Sequence, residues 1–133
     1  MAFQFSTATR NDALDQIETT IGTSPTLEIR SGSVPANCAA ASTGTVLATI
    51  TLPSDWLAAA SGGSKTISGT WQDVSADATG TAGYFRISQG ATCHIQGTVT
   101  ATGGGGDMTL DSVSITAAQQ VNITAFTITA GGA

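Results

Sequence analysis

Few side chains in this chain have the types and spacing that catalysis requires. The sequence holds a single histidine, His94, so a nucleophile–His–acid system would have to use it. His94 falls on the outward face of a Thr-rich segment, and the chain contains no Gly-x-Ser-x-Gly nucleophile elbow. We therefore interpret His94 as a surface strand residue and predict that the protein is not an enzyme.

Two glycine-rich segments resemble phosphate loops at first sight. In residues 61–66 (SGGSKT), Lys65 follows a serine instead of the glycine of the phosphate-loop pattern, and no strand leads into the segment. The run Gly103–Gly106 is not followed by a helix whose N-terminus could bind an anion. We expect the first to be a loop before a strand and the second a flexible hairpin connection, with no bound cofactor.

Two pairs of aspartates are the remaining candidates for metal ligands. Asp73 and Asp77 form one pair, and Asp107 and Asp111 form the other. Calcium takes about six to eight oxygen ligands, and neither pair lies in an EF-hand spacing. The sequence therefore predicts no metal site.

The two cysteines, Cys38 and Cys93, lack the spacing of a redox or zinc motif. The N-terminus shows no basic start followed by an apolar core, so we expect no secretion signal. Reducing compartments keep thiols apart, and Cys93 shares the inward register of Ile95 and Val99. On this basis the cysteines are predicted to be buried free thiols.

The composition is neutral and rich in small residues. Ala, Gly, Ser and Thr make up 73 of the 133 residues, charged residues are 10%, and the net charge is −5. The four basic residues are scattered, which argues against nucleic-acid binding, and no apolar run approaches the ~20 residues of a membrane helix. We predict one domain over residues 1–133 that is better suited to burial in an assembly than to free solution.

Helical periodicity occurs at the start of the chain. Leu14, Ile17 and Ile21 recur at helical spacing, Gly22 follows as a stop signal, and Pro25 prevents continuation. The spacing predicts a helix over residues 7–21, with Ser6 or Thr9 as its N-cap.

Beyond Pro25 the apolar pattern changes to a period of two, which is typical of strands. It predicts seven strands separated by glycine-rich turns, at residues 26–30, 45–52, 65–71, 84–88, 92–101, 108–116 and 119–129. The alternation slips in the last two, which we interpret as β-bulges. The predicted fold is mainly β: an antiparallel sandwich, jelly-roll-like, over residues 26–129 with one N-terminal helix.

The aromatic residues are candidates for the core or for an interface. Trp71 shares a strand face with Ile67, so both are predicted to be core residues. Phe3 and Phe5 precede the helix and are too apolar for a free tail, so we expect them to be buried against another subunit. With Trp56, which suits either a core or an interface, they are the predicted interface residues.

Sequence segments along nearly the whole chain resemble a family of small structural proteins of tailed bacteriophages. The segments are residues 1–7 (MAFQFST), 18–24 (ETTIGTS), 27–38 (LEIRSGSVPANC), 51–56 (TLPSDW), 80–87 (GTAGYFRI) and 130–133 (AGGA). The resemblance implies a head decoration, or cement, protein with a small β-sandwich that binds outside the capsid lattice. It implies no catalytic residues.

The resemblance also implies partners and a location. The partners would be the major capsid protein and copies of the chain itself, as a dimer or trimer, with neither nucleic acid nor membrane. The protein would be assembled in the host bacterial cytoplasm and reside on the capsid exterior. The alternative is a tail-associated structural or receptor-contacting β module.

Overall fold

The fold is mainly β with one N-terminal helix, as the sequence predicts, in a computed structural model that describes residues 3–132. Within these residues the helix α1 covers Thr7–Ile21 and is followed by ten strands. The strands are β1 Thr26–Ser31, β2 Val46–Thr51, β3 Ser64–Thr66, β4 Trp71–Asp73, β5 Gly80–Gln89, β6 Thr92–Ala101, β7 Met108–Leu110, β8 Ser114–Ile115, β9 Val121–Ile123 and β10 Thr127–Thr129.

Helix α1 has the predicted bounds because a capping residue lies at each of its ends. The Ser6 side chain accepts a hydrogen bond from the Thr9 backbone N–H at 3.1 Å, which makes Ser6 the N-cap. At the other end the Gly22 N–H donates to the Glu18 carbonyl oxygen at 2.9 Å. The helix buries Leu14 and Ile21, so it contributes a narrow apolar edge to the core.

The largest sheet has the order β2-β1-β5-β6-β7, and β8 pairs with the start of β5. Strands β1 and β5 lie at its centre, and their apolar residues meet across the ladder, with Leu27 opposite Ile87 and Ile29 opposite Phe85. Two small antiparallel sheets, β10–β3 and β4–β9, share one apolar core with the large sheet. This layering is sandwich-like.

A chain of aromatic rings crosses the core. The ring centroids of Trp56 and Trp71 are 6.1 Å apart, those of Trp71 and Phe126 are 6.1 Å apart, and those of Phe126 and Phe85 are 5.4 Å apart. Trp71 is 1% exposed, which confirms it as core, and Ile67 is partly buried against the same cluster. Burial of these rings holds the small sheets against the large one.

Trp56 corrects one prediction of an interface residue. Its side chain is fully buried, and its indole N–H donates to the Gly22 carbonyl oxygen at 3.0 Å. The ring therefore fixes the end of α1 from within the core. It has no surface to offer a partner.

The connection from β6 to β7 differs from the predicted hairpin. The two strands are parallel, with Val99 opposite Met108. The chain therefore runs back along β6 before β7 begins, and the glycine run packs against Thr100 in this return. A Cβ atom at Gly104 or Gly106 would lie 2.8 Å from Thr100 side-chain atoms, which explains why small residues occupy the return.

The later strands are shorter than predicted, and the interpretation of the phase slips as bulges is wrong. Each slip is a break between strands that pair with different partners: β7 with β6, β8 with β5, β9 with β4 and β10 with β3. The predicted strand 65–71 is likewise divided, because Gly69 has a φ of +73° and lies against the Pro53 ring. Strand β5 begins at Gly80, four residues before the start of the predicted strand 84–88.

Candidate functional site

An aromatic pair on the surface is the most conspicuous feature of the N-terminal segment. Phe3 is 75% exposed and Phe5 is 46% exposed, and their ring centroids are 5.1 Å apart in an edge-to-face arrangement. The Phe5 N–H donates to the Gly132 carbonyl oxygen at 2.6 Å, and the Phe5 ring packs on Gly132. We call residues 3–5 the N-terminal arm. The arm is held at its base while its rings face solvent.

In the single chain both rings are exposed. The prediction that Phe3 and Phe5 are buried therefore requires a second surface that covers them. Among the described residues, the other large apolar side chain that is exposed is Val74, at 69%. Since exposed aromatic rings are costly to hydrate, the arm is the strongest candidate for a contact with a partner.

A groove runs between α1 and the sheet. Its apolar lining comes from Ile17 of α1, Ile95 of β6 and Ile128 of β10, with Phe85 and Phe126 also contributing. One cavity in the groove has a volume of about 430 Å³, and a second of about 250 Å³ lies along the helix. Ile17 and His94 line both cavities. We call this feature the helix–sheet groove.

The groove exists because α1 is anchored on one side by polar contacts. Asn11, Asp15 and Glu18 follow one another at helical spacing, and each accepts a hydrogen bond from a backbone N–H group. These donors are Gly63 N at 2.9 Å, Ala60 N at 2.9 Å and Leu57 N at 3.1 Å. The helix is thus attached to the segment 57–63, and its Ile17 side is left partly uncovered over the sheet. The sequence contains this polar stripe as an i, i+4, i+7 pattern, a signal that could have predicted which side of the helix is anchored.

Lys65, in the segment that resembled a phosphate loop, completes this anchor. Its ammonium group is buried and lies 2.7 Å from Asp15 Oδ1 and 3.3 Å from Glu18 Oε1, and it donates to the Ala58 carbonyl oxygen at 2.9 Å. The hydrogen bond from Lys65, with one from the Ala60 N–H, lowers the pKa of Asp15. Burial lowers the pKa of Lys65, but hydrogen bonds to the two carboxylates outweigh it and the net pKa is raised. Lys65 is therefore a charged structural residue.

A second buried cation, Arg86, organises the loop between β1 and β2. It is 5% exposed, and its guanidinium donates to the carbonyl oxygens of Asn37 at 3.1 Å and Ala40 at 2.8 Å. It also donates to Ser42 Oγ at 3.0 Å and to Gln96 Oε1 at 2.9 and 3.1 Å. A side chain of the sheet thereby donates hydrogen bonds to backbone carbonyl oxygens of this irregular loop.

The cysteines are joined by a disulfide, which overturns the prediction of free thiols. The Cα atoms of Cys38 and Cys93 are 5.3 Å apart, and both residues are partly exposed. The prediction rested on the redox state of a presumed compartment and on an inward register for Cys93. It failed because the Arg86 contacts bring the loop that carries Cys38 beside β6.

The remaining sequence candidates have structural roles. Asp73 and Asp77 accept hydrogen bonds from the backbone and hydroxyl of Thr49, at 3.0 and 2.7 Å, and Asp107 accepts from the Thr98 N–H at 2.9 Å. Over residues 3–132, no three His, Cys, Asp or Glu side chains come together in a way that could hold a metal ion. Nor does that part of the chain include a helix with the length and apolar character needed to cross a membrane.

Comparisons with known proteins supply no relative for this chain. No family model, curated protein or solved structure matches it.

Proposed function

We propose that this chain is a structural protein of a tailed-bacteriophage virion, which coats the outer surface of the head and stabilises the capsid lattice. The observation that carries the proposal is the exposed aromatic pair Phe3–Phe5, fixed at its base by Gly132. The resemblance of the sequence to small phage structural proteins supports the same role. The partners would be the major capsid protein and other copies of the chain.

A coating role needs surface contacts and no chemical step. Opening a lattice costs more when each subunit is joined to its neighbours by an added protein, and many copies make small contact energies add up. Only 10% of the residues are charged, so much of the surface can be covered without removing unpaired charge from water. Exposed aromatic rings add the apolar area that such contacts require.

The disulfide supports a location outside the reducing cytoplasm. Disulfides persist on virion and cell surfaces and in secreted proteins, whereas cytosolic thiols are kept reduced. Cys38 and Cys93 are partly exposed, so the bond can form once the assembled particle reaches an oxidising medium. A protein on the capsid exterior meets that condition after release from the host.

The test is a binding assay on heads that lack the protein. Phe3→Ser/Phe5→Ser should bind such heads at least ~10-fold more weakly than the wild type, since the burial of two rings is lost. Val74→Ser removes a comparably exposed apolar side chain elsewhere and should bind normally. Wild-type occupancy by the double variant would contradict the proposal that the arm is an attachment element.

Micrographs of particles produced without the protein test the role itself. Heads that break at lower salt or temperature are the expected result. Normal heads combined with altered tails or poor adsorption would overturn the head assignment and favour a tail-associated module.

A further inference from the structure

We propose that the cavity beside the Cys38–Cys93 bond is a thiol–disulfide exchange site. A small disulfide or thiol enters the cavity and makes or breaks the bond, while Arg86 holds the surrounding loop in its folded position. The bond is therefore a reversible lock on a loop that is already in place. The inference goes beyond the proposed coating role and does not depend on it, because it is argued from the loop, Arg86 and the cavity alone.

The β1–β2 loop, residues 32–45, is held on both sides of Cys38 by contacts that do not involve the disulfide. The Asn37 side chain accepts a hydrogen bond from the Ala40 N–H at 3.0 Å, which closes a turn around Cys38. The carbonyl oxygens of Asn37 and Ala40 both accept from the same nitrogen of Arg86, at 3.1 and 2.8 Å. These contacts fix the turn to β5 whether or not Cys38 is bonded.

Arg86 also joins this turn to the strand that carries the second cysteine. It is 5% exposed, and its guanidinium donates to the side chain of Gln96 on β6, three residues after Cys93. The Gln96 amide in turn donates to the Pro35 carbonyl oxygen at 2.7 Å. Because a buried guanidinium is stable only with its hydrogen-bond acceptors in place, reduction of the disulfide does not free the loop.

The cavity gives a small molecule access to the bond. Its volume is about 410 Å³, within the ~300–1,000 Å³ of small-molecule sites. Cys38 and Cys93 both line it, and both are partly exposed. Arg86, Ser42 and Ser88 add polar groups to the lining. The cavity therefore suits a polar reagent such as glutathione.

The exchange needs no reacting group of this chain besides the two thiols. One protein thiolate attacks a sulfur of the small disulfide, forms a mixed disulfide and releases one small thiolate. The second protein thiolate attacks the protein sulfur of the mixed disulfide, forms the Cys38–Cys93 bond and releases the second small thiolate. The protein thiols thus lose two electrons and two protons, the small disulfide gains the electrons, and the protons pass to the small thiolates or to solvent. Two small thiols reverse both steps.

Equilibration of the folded protein with oxidised and reduced glutathione tests the proposal. Mass spectrometry after acid quenching gives the ratio of disulfide to dithiol protein, and from it the effective concentration of one protein thiol at the other. Arg86→Lys keeps the charge but loses the planar group that binds two loop carbonyls, so this concentration should fall at least ~10-fold. Asn37→Ala removes the bond that closes the turn and should lower it about 3-fold or more. Ser33→Ala, at an exposed position of the same loop, should match the wild type.

Hydrogen exchange on the reduced wild type shows whether the loop stays in place without the bond. The Ala40 and Thr43 N–H groups donate to Asn37 and to the Tyr84 hydroxyl, and their protection should stay within about 10-fold of that in the oxidised protein. Tryptophan fluorescence checks the fold of the reduced protein and of each variant, since both tryptophans are buried in the core.

A bulky side chain in the cavity tests the route of the small molecule. Ala91 is exposed and lines the cavity, so Ala91→Phe should slow reduction of the bond by glutathione several-fold, because access limits the exchange. Thr92→Phe, at the neighbouring exposed position outside the lining, should be reduced at the wild-type rate.

Three results would each overturn the proposal. They are an Arg86→Lys protein that folds and keeps the wild-type effective concentration, loss of amide protection at Ala40 and Thr43 in the folded reduced protein, and a wild-type reduction rate for Ala91→Phe. If Arg86→Lys does not fold, Asn37→Ala decides by the same criterion. All of these assays use the purified protein without phage heads, so their failure leaves the proposed coating role standing.

Discussion

Lys65 shows how a single buried charge can be stabilised by a helix and a loop together. Its side chain is 1% exposed, while those of Asp15 and Glu18 are 47% and 22% exposed. A buried ammonium without a counter-charge is unfavourable, so the two carboxylates and a backbone carbonyl make its position tolerable. Since both acids also bind the backbone of segment 57–63, the same side chains position α1 and neutralise Lys65.

Asp15→Asn tests this role. The amide can still accept from the Ala60 N–H, but Lys65 loses its shortest ion pair. We expect the free energy of unfolding to fall at neutral pH, because the buried Lys65 ammonium then keeps only its contacts with Glu18 and the Ala58 carbonyl oxygen. Chemical denaturation measures the change. Asp12→Asn, on an exposed position of the same helix, should stay within about 0.5 kcal/mol of the wild type.

The pH dependence of stability gives an independent readout of the same contact. The pKa of Asp15 is lowered from its ordinary value of 3.8 in the folded state, so its contribution is fully present above that value. It is lost as the pH falls through the folded pKa and the carboxylate is protonated. Denaturation curves between pH 5 and 2 should therefore show a smaller acid loss for Asp15→Asn than for the wild type. Equal losses of stability in acid for the two proteins would mean that Lys65 does not lower the pKa of Asp15.

Trp71, in contrast to Lys65, stabilises the fold mainly through the apolar packing of its ring. Its ring lies between Trp56 and Phe126, and its indole N–H donates to the Trp56 carbonyl oxygen at 3.2 Å. Trp71→Ala should lower the free energy of unfolding by about 3–5 kcal/mol because it leaves a cavity in the aromatic chain. Urea denaturation would check this, and Val74→Ala, at an exposed position just beyond the end of β4, should have almost no effect.

At the scale of elements, the loop between β1 and β2 is ordered without regular secondary structure. The Tyr84 hydroxyl donates to the Thr43 carbonyl oxygen and accepts from the Thr43 N–H, and the Gln96 side chain donates to the Pro35 carbonyl oxygen at 2.7 Å. The loop is thus bonded to β5 and β6 along its length. The disulfide adds a covalent link at Cys38, between loop residues that these contacts hold on either side.

Loss of the disulfide should be measurable as a change in global stability. The bond closes a chain segment with a sequence separation of 55, for which the chain-entropy relation gives about 4 kcal/mol. Cys38→Ser/Cys93→Ser should be less stable than the oxidised wild type by about that amount, or somewhat less where the loop contacts persist in partly unfolded chains. Denaturation with and without a thiol reductant measures it. The reductant should not affect the double variant, and an unchanged wild type in reductant would contradict the link.

Elements with local signals were predictable from the sequence, and elements defined by distant pairing were not. Helix α1 and β6 have the predicted bounds because caps and turn residues mark their ends. The breaks after Leu110 and Ile123 were misinterpreted, since a phase slip is the same in sequence whether a strand bulges or changes partner. The parallel return before Met108 was missed because a glycine run ordinarily indicates a hairpin.

The candidate site was predicted in part. Phe3 and Phe5 stood out in the sequence because they are apolar residues outside any amphipathic pattern; the structure shows them exposed, and their burial against a partner stays a prediction. The groove was not predicted, since Ile17, Ile95 and Ile128 come together only through tertiary packing. The disulfide was missed because two cysteines 55 residues apart in the sequence carry no spacing signal that they pair.

At the scale of the whole molecule, local stability should be highest in the large sheet and lower in the small sheets and in α1. Strands β1 and β5 are paired on both sides, whereas β3–β10 and β4–β9 are isolated two-stranded ladders. We expect the slowest amide hydrogen exchange at Leu27, Ile29 and Ile87, with faster exchange in the small sheets and in α1. Native-state exchange followed by mass spectrometry would show this, and uniform protection across all strands would contradict it.

The bond between Phe5 and Gly132 also bears on protein engineering. Because the two ends of the described chain meet at one point of the surface, a short glycine linker can join them and new ends can be opened in an exposed loop such as 103–105. A cargo peptide genetically fused after residue 132 would emerge beside the aromatic rings and obstruct them sterically. A permuted chain carrying the cargo at the opened loop would display it while leaving those rings accessible.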